Sequence, residues 1–273
     1  MPSSVESHRG FLLIPHPSSL TPDGLKIAHA SVGEGAPILL LHGWGANIEL
    51  VWPLAESLAK QGFKVYALDL PGFGNSAPPP TAWTVHDYAA LVIAFMDVQG
   101  LGRVCLFGHS FGGRISILLG ARYAVRFSKI VLCDAAGVKP PTPLRRVILG
   151  KLYDTAARWI KPGNPLYGLL ERVRLAYRQR AGSSDYLNAG ALTETFVAVI
   201  EEDLLPFAPQ IQRPTLLIWG ENDLDTPLWM AHALEKAIPD AGLVVMKGAG
   251  HYAYLDALAD VTRVMTYFFQ NES

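Results

Sequence analysis

The pentapeptide Gly108-His109-Ser110-Phe111-Gly112 follows the apolar run Val104-Cys105-Leu106-Phe107 and leads into a helical pattern through residues 114–119. A serine at such a strand-to-helix turn is a candidate nucleophile. The turn holds its hydroxyl clear of the sheet, and the new helix offers free N–H groups and the positive end of its dipole to an oxyanion. Glycines on both sides allow strand and helix to approach where Cβ atoms would not fit. The plain alternative is a glycine-rich turn carrying a solvated serine, so the rest of the chain has to decide.

A serine hydroxyl is a weak nucleophile at neutral pH and needs a base, an acid that orients the base, and donors for the tetrahedral oxyanion. For the base, His251 stands out in Lys247-Gly248-Ala249-Gly250-His251, where glycines let a loop carry an imidazole over the edge of a sheet. His42 and His109 compete, although each lies inside a turn with another job, while His29, His86 and His232 fall on strand or helix surfaces and read as structural. For the acid, the loop Trp219-Gly220-Glu221-Asn222-Asp223-Leu224-Asp225-Thr226-Pro227 offers three carboxylates. Asp223 is preferred, Asp134 is the runner-up, and Asp225 is third, since it is placed to cap the helix that Pro227 begins. For the oxyanion, Leu41-His42-Gly43-Trp44-Gly45 closes a strand, and the backbone N–H groups of Trp44 and Phe111 are the expected donors. The side chains of Trp44 and His109 are expected in the substrate pocket, with core packing as the alternative for Trp44. Asp69, in Asp69-Leu70-Pro71-Gly72-Phe73-Gly74-Asn75-Ser76, has the spacing of a tight turn and is read as architectural.

These residues sit at the ends of β-rich runs, and those runs define the elements that must position them. Segments 11–14 and 25–32, joined through Thr21-Pro22-Asp23-Gly24, read as an antiparallel opening pair. Segments 37–41, 64–68, 104–107, 129–133, 215–219 and 243–246 are mostly too uniformly apolar to be two-faced strands, as in a parallel sheet covered on both sides. Helical patterns at 51–61, 85–98, 112–123, 228–238 and 255–269 separate them. This alternation predicts an α/β fold with an open, doubly wound, mostly parallel eight-stranded sheet. In such a sheet the site lies beyond the carboxyl ends of the strands.

The stretch between 133 and 215 is too long for a simple crossover. It opens on Lys139-Pro140-Pro141-Thr142-Pro143 and carries helical patterns near 144–161, 165–181 and 185–205. The expectation is a catalytic domain formed by 1–138 and 211–273, with a helical cap, 139–210, inserted between the sixth and seventh strands. Residues 139–185 hold ten Lys or Arg against three acids, which fits either a surface for anionic substrates or membrane, or simply a solvated helix face.

A net charge of −1, with 17% charged residues, lacks the basic imbalance of a nucleic-acid surface and points to a small-molecule substrate. Eight scattered histidines and two cysteines, Cys105 and Cys133, both within apolar strands, offer no metal-ligand spacing, and a disulfide is not expected. The N-terminus lacks an apolar signal core and no run is long enough to span a membrane, so the chain is read as cytoplasmic. Its oligomeric state is left open.

Taken in order, His42-Gly43-Trp44-Gly45, the 69–76 turn, Gly108-His109-Ser110-Phe111-Gly112-Gly113, the 219–227 loop and Gly250-His251 resemble the motifs of the α/β-hydrolase fold superfamily, of the capped serine carboxylesterase type. The resemblance implies a Ser110–Asp223–His251 triad and an acyl-enzyme mechanism on esters of short to medium acyl chains, without cofactor or metal. Serine at 110 sets the chain apart from the dehalogenase and epoxide-hydrolase branches, which use an aspartate nucleophile. Two features depart from many relatives. Tyr252-Ala253-Tyr254-Leu255-Asp256-Ala257 lacks the Glu and nearby Pro that often follow the histidine, and a single glycine before Trp44 replaces the glycine run of relatives that accept tertiary alcohols. The same triad would also serve C–C bond hydrolysis or acyl transfer to alcohol or peroxide, and a ligand receptor on this fold is a third reading.

Overall fold

The structure is a computed structural model in which residues 7–15, 24–139 and 189–271 are described. The chain divides into two compact units, one made of Met1–Val138 with Glu194–Ser273, the other of Lys139–Thr193. Most of the second unit, including the helical patterns at 144–161 and 165–181 and the basic stretch, lies outside the described residues, as does most of the 21–24 turn. Residues 194–210, read from sequence as part of the cap, group with the sheet.

Eight strands form one sheet among the described residues. They are β1 Ser7–Ile14, β2 Leu25–Val32, β3 Ala36–Leu41, β4 Phe63–Leu68, β5 Val104–His109, β6 Phe127–Cys133, β7 Thr215–Gly220 and β8 Ala241–Met246. Their order is β1-β2-β4-β3-β5-β6-β7-β8; β2 runs antiparallel to both β1 and β4, and every other pairing is parallel. The expected α/β architecture with a mostly parallel eight-stranded sheet is therefore the observed one. The apolar strands went to the middle: every residue of β5 and β7 is buried, whereas the edge strand β1 buries only Ile14 fully. Such strands can be apolar on both faces because helices cover both sides of the sheet.

The α-helices among the described residues are α1 Ile48–Ala59, α2 Val85–Val98, α3 Phe111–Arg122, α4 Thr193–Glu201, α5 Leu228–Ala237, α6 Ala253–Asp256 and α7 Leu258–Gln270. Two differ from the sequence reading for identifiable reasons. Helix α1 starts three residues earlier than the periodicity at 51–61 suggested, because Asp69 Oδ1, from the turn after β4, accepts the Ile48 N–H at 2.7 Å. That carboxylate satisfies one of the donors that a helix start leaves open, in place of Asn47, whose side chain makes no cap. The pattern at 255–269 is interrupted at Ala257 (φ −126°, ψ 43°), which separates α6 from α7.

The strand order reverses between β3 and β5, which leave the sheet side by side while β4 and β6 go to opposite flanks. A crevice opens at such a reversal beyond the carboxyl ends of the strands. Trp44 follows β3 and Ser110 follows β5, so both stand at that point.

Candidate active site

Ser110 is the residue between β5 and α3, with φ 50° and ψ −107°. This positive φ is costly for a residue with a Cβ, and it persists because the surroundings over-determine it. Cys133 O accepts the Ser110 N–H at 3.1 Å, and Ser110 O accepts from Ala136 N at 3.0 Å and from Arg114 N at 3.0 Å. The neighbouring glycines are required by space. A Cβ on Gly113 would fall 2.9 Å from Ala135 Cα, and one on Gly43 would fall 2.9 Å from His109 Nδ1 and 3.3 Å from Ser110 Cβ.

Three side chains from three loops converge here. Ser110 Oγ lies 3.0 Å from His251 Nε2, and His251 Nδ1 lies 2.9 Å from Asp223 Oδ2. Because Asp223 is ionised, Nδ1 carries the proton and donates, which leaves Nε2 free to accept from the serine hydroxyl. Asp223 is buried and accepts from Asp225 N and Thr226 N at 2.9 Å on Oδ1, and from Thr226 Oγ1 at 2.6 Å on Oδ2. Burial opposes its ionisation, but the donors from His251 and Thr226 outweigh this and hold the carboxyl below the usual range. Burial likewise resists charge on His251, yet the hydrogen bond and charge of Asp223 prevail and raise the imidazole above its ordinary value. The arrangement can move a proton from a serine oxygen to an imidazole whose positive charge is stabilised from behind.

The backbone N–H groups expected to meet an oxyanion flank the same crevice. Phe111 opens α3, so its N–H has no intrahelical acceptor, and among the described residues neither it nor Trp44 N–H donates to a backbone carbonyl. Gly112 N donates to His42 O at 3.0 Å, pinning the helix start to the loop that carries Trp44.

A family model described as alpha/beta hydrolase fold matches residues 36–258. The chain belongs to the alpha/beta hydrolase fold family, and it is a hydrolase. It is 26% identical over 250 residues to Lipase 1 of Psychrobacter immobilis, covering 86% of this chain and 78% of that one. It is 27% identical over 244 residues to a poly(3-hydroxyalkanoate) depolymerase of Ectopseudomonas oleovorans, covering 86% and 85%. Among solved structures, the enol-lactonase from Burkholderia xenovorans LB400 superposes with a TM-score of 0.72 at 23% identity, over 96% of this chain and 100% of that one, a likeness of fold.

The competing bases of the hydrolase are occupied elsewhere. His42 is fully buried, donates from Nδ1 to Gly43 O at 2.7 Å, and accepts the Leu70 N–H on Nε2 at 2.9 Å, tying the end of β3 to the end of β4. Burial pushes its pKa down to about 4, against the pull of the Gly43 carbonyl. His109, expected in the substrate pocket, is only 1% exposed. Its Nε2–H donates to the His251 carbonyl at 2.8 Å, and its ring packs among His251, Tyr252 and Tyr254, so it supports the loop of His251 from beneath. Burial, and then the charge of His251, push its pKa down to about 3.

The runner-up acids do not reach the imidazole as Asp223 does. Asp134 accepts backbone N–H groups of Gly220 and Ala253 at 2.7 and 3.0 Å. Asp225 was expected to cap the helix after Pro227, but α5 has no side-chain cap; the backbone N–H of Asp225 instead holds Asp223. Asp69 is architectural: besides Ile48 N it accepts Asn75 N at 2.8 Å, closing the 69–76 turn.

Trp44 is half-buried in a group of aromatic rings, with centroids 4.9 Å from Phe73, 5.2 Å from Phe111 and 4.9 Å from Phe196. Phe196 on α4 and Thr226 were not singled out from sequence. The placing of Thr226 three residues after Asp223 and before Pro227 is a turn signature that would have pointed to it. Phe196 lies 85 residues from Phe111 along the chain and left no local signal. The described residues hold no helix long and apolar enough to cross a membrane.

Proposed function

We propose that the chain is a serine carboxylesterase acting on esters of short to medium acyl chains through an acyl-enzyme intermediate. The observation that carries this reading is the bridging of Ser110 Oγ and Asp223 Oδ2 by one imidazole, at 3.0 and 2.9 Å. Ser110 Oγ attacks the ester carbonyl carbon as His251 Nε2 takes its proton. The carbonyl oxygen gains the negative charge and is met by the N–H groups of Phe111 and Trp44. Collapse of this intermediate expels the alkoxide, which receives the proton from His251 and leaves as the alcohol. Water then attacks the acyl-serine with His251 again as base, releasing the acid and restoring Ser110. Asp223 keeps Nδ1 protonated and stabilises the imidazolium throughout, and no cofactor enters.

Support comes from similarity to a lipase and a depolymerase along most of their lengths. The rings of Trp44, Phe73, Phe111 and Phe196 pack together beside the proposed oxyanion donors, and a wall of that kind would favour shorter acyl groups. The unit Lys139–Thr193 is assigned, on the sequence resemblance, to substrate selection as the cap. Replacement Ser110→Ala should lower kcat on p-nitrophenyl acetate by about 10⁴-fold or more, as for nucleophiles acting in a concerted unit. A fluorophosphonate probe should label Ser110 of the parent protein and leave the variant unlabelled. A variant that keeps most of its turnover, or a folded parent that takes no label, would exclude the assignment.

A further inference from the structure

The turn that follows β6 touches Ser110 and the loops that carry Asp223 and His251. Cys133 O and Ala136 N hold the two backbone groups of Ser110, at 3.1 and 3.0 Å. Between them stands Asp134, fully buried, with φ 45°. Its Oδ1 accepts Gly220 N at 2.7 Å, at the root of the loop that carries Asp223. Its Oδ2 accepts Ala253 N at 3.0 Å, two residues beyond His251. Its carbonyl lies 3.0 Å from Thr226 Oγ1, the hydroxyl that also reaches Asp223 Oδ2.

A buried carboxylate without a cation is expensive, and an aspartate used merely to turn the chain would not need both oxygens. Here each oxygen meets a backbone donor from a different loop, and the Cys133 thiol adds a third at 3.4 Å on Oδ2. Asparagine would reproduce the turn, since it tolerates the left-handed region well. It could not reproduce the bridge, because its amide would present N–H groups to one of the two donors.

We propose that Asp134 is a positioning residue whose carboxylate fastens the root of the Asp223 loop to the root of the His251 loop and thereby sets the alignment of both on Ser110. This rests on the serine hydrolase reading. The same carboxylate also acts through its charge. It is faced by Cys133 on β6, by Asp223 on the loop after β7, by His251 on the loop after β8 and by Tyr254 on α6. Burial raises its pKa to about 7, while its negative charge helps His251 to hold a proton.

The test is Asp134→Asn, assayed across pH with p-nitrophenyl acetate. The expected result is a loss of at least about 10-fold in kcat/KM, mostly in kcat, from misalignment of the base. The acid limb of kcat/KM should also move down by about half a pH unit or more, because a charge that favours the imidazolium is gone. A folded variant with unchanged kcat and an unmoved acid limb would overturn the proposal. Should the variant fail to fold, NMR on the unmodified protein decides. The amide proton shifts of Gly220 and Ala253 should follow one shared titration; separate midpoints, or flat shifts between pH 5 and 9, would refute the bridge. Fluorophosphonate labelling of the parent is run alongside. An unlabelled parent sinks the serine hydrolase reading, while the amide shifts report on Asp134 independently.

Discussion

Replacing Gly112 by alanine should damage catalysis through geometry alone, without touching a chemical group. A Cβ at this position would lie 2.6 Å from the Leu41 carbonyl carbon and 2.8 Å from His42 O, with Leu41 O nearer still, whereas ordinary contact begins at 3.4 Å. These neighbours are backbone at the end of β3 and cannot swing aside as a flexible side chain would. The start of α3 must therefore back away from the Trp44 loop by about 1 Å, stretching the Gly112 N to His42 O bond that now measures 3.0 Å. Phe111 N–H moves with the helix and Trp44 N–H stays with the loop, so the two proposed oxyanion donors no longer meet at one point. A misplacement of that size costs about 100-fold in rate, or about 2.7 kcal/mol of transition-state stabilisation. Overpacking should remove a further ~1–3 kcal/mol from folding stability. Hydrolysis of p-nitrophenyl acetate, the rate of fluorophosphonate labelling and urea unfolding would read the three effects. Gly102→Ala is the control, since nothing lies within 4 Å of a Cβ there. If Gly112→Ala kept kcat/KM within about twofold of the parent and unfolded at the same urea concentration, the close packing between the two donor loops would not matter as argued.

Further outcomes follow from the same site. Asp223→Asn should cost about 10⁴-fold in kcat, because an amide leaves the His251 tautomer uncontrolled, and should lower the acid limb of kcat/KM, because the raising influence of Asp223 on His251 is gone. A pH–rate profile with that limb unmoved would contradict the assignment. Stability should fall on acidification between pH 6.5 and 4: His42 and His109 take up protons only when unfolded in this range, which outweighs the one proton that Asp134 takes up only when folded. The net of one proton is worth about 1.4 kcal/mol per pH unit, measurable by urea unfolding at pH 6.0 and 5.0, and a stability that rises on acidification between them would refute it. Phe196→Ala should open the wall beside Trp44 and raise the ratio of kcat/KM for hexanoate over acetate esters by about 5-fold or more; an unchanged ratio would remove α4 from the acyl pocket.

The fold was legible because the strands that matter are apolar along their whole length, and β5 and β7 could hardly be anything but central parallel strands. The candidate triad was legible for a related reason. Parallel strands all deliver their carboxyl ends to one edge, so Ser110, Asp223 and His251, each just beyond a strand, could be placed together before any distance was known. What escaped was tertiary substitution of local signals. Asn47 has the residue type of a helix cap, yet the first N–H of α1, on Ile48, is met by Asp69, twenty-one positions further along the chain. His109 lies beside the nucleophile in sequence, yet its ring points under the sheet edge to the His251 carbonyl, because alternate residues at a strand end face opposite ways. Phe196 falls in the helical pattern at 185–205, but nothing local announces that its ring reaches Trp44.

The buried polar residues around the site share one logic. His42 joins the ends of β3 and β4, His109 joins β5 to the His251 loop, and Asp134 joins the Asp223 and His251 loops. Each is a side chain standing in for backbone pairing that the sheet cannot supply beyond the last ladder bond. Protonation state matters to two of them: a protonated His42 could not accept the Leu70 N–H, and the proton that Asp134 takes up near pH 7 lands on an oxygen already facing a donor. The loops that carry the chemistry are thus held by groups whose charge states are set by burial, and the pH range of activity should be bounded by these supports as well as by His251. That range can be dissected. The acid limb of kcat/KM belongs to the free imidazole, while loss of fold below about pH 5 would be reported by unfolding rather than by rate, and the two separate cleanly in Asp134→Asn. Removing Asp134, which opposes His42 and His109, should steepen the stability profile between pH 6.5 and 4 from about one proton to about two, even as it lowers the kinetic limb. Opposite movements of the two profiles in a single variant are not expected from a general loosening of the fold, which would lower stability by a similar amount at every pH.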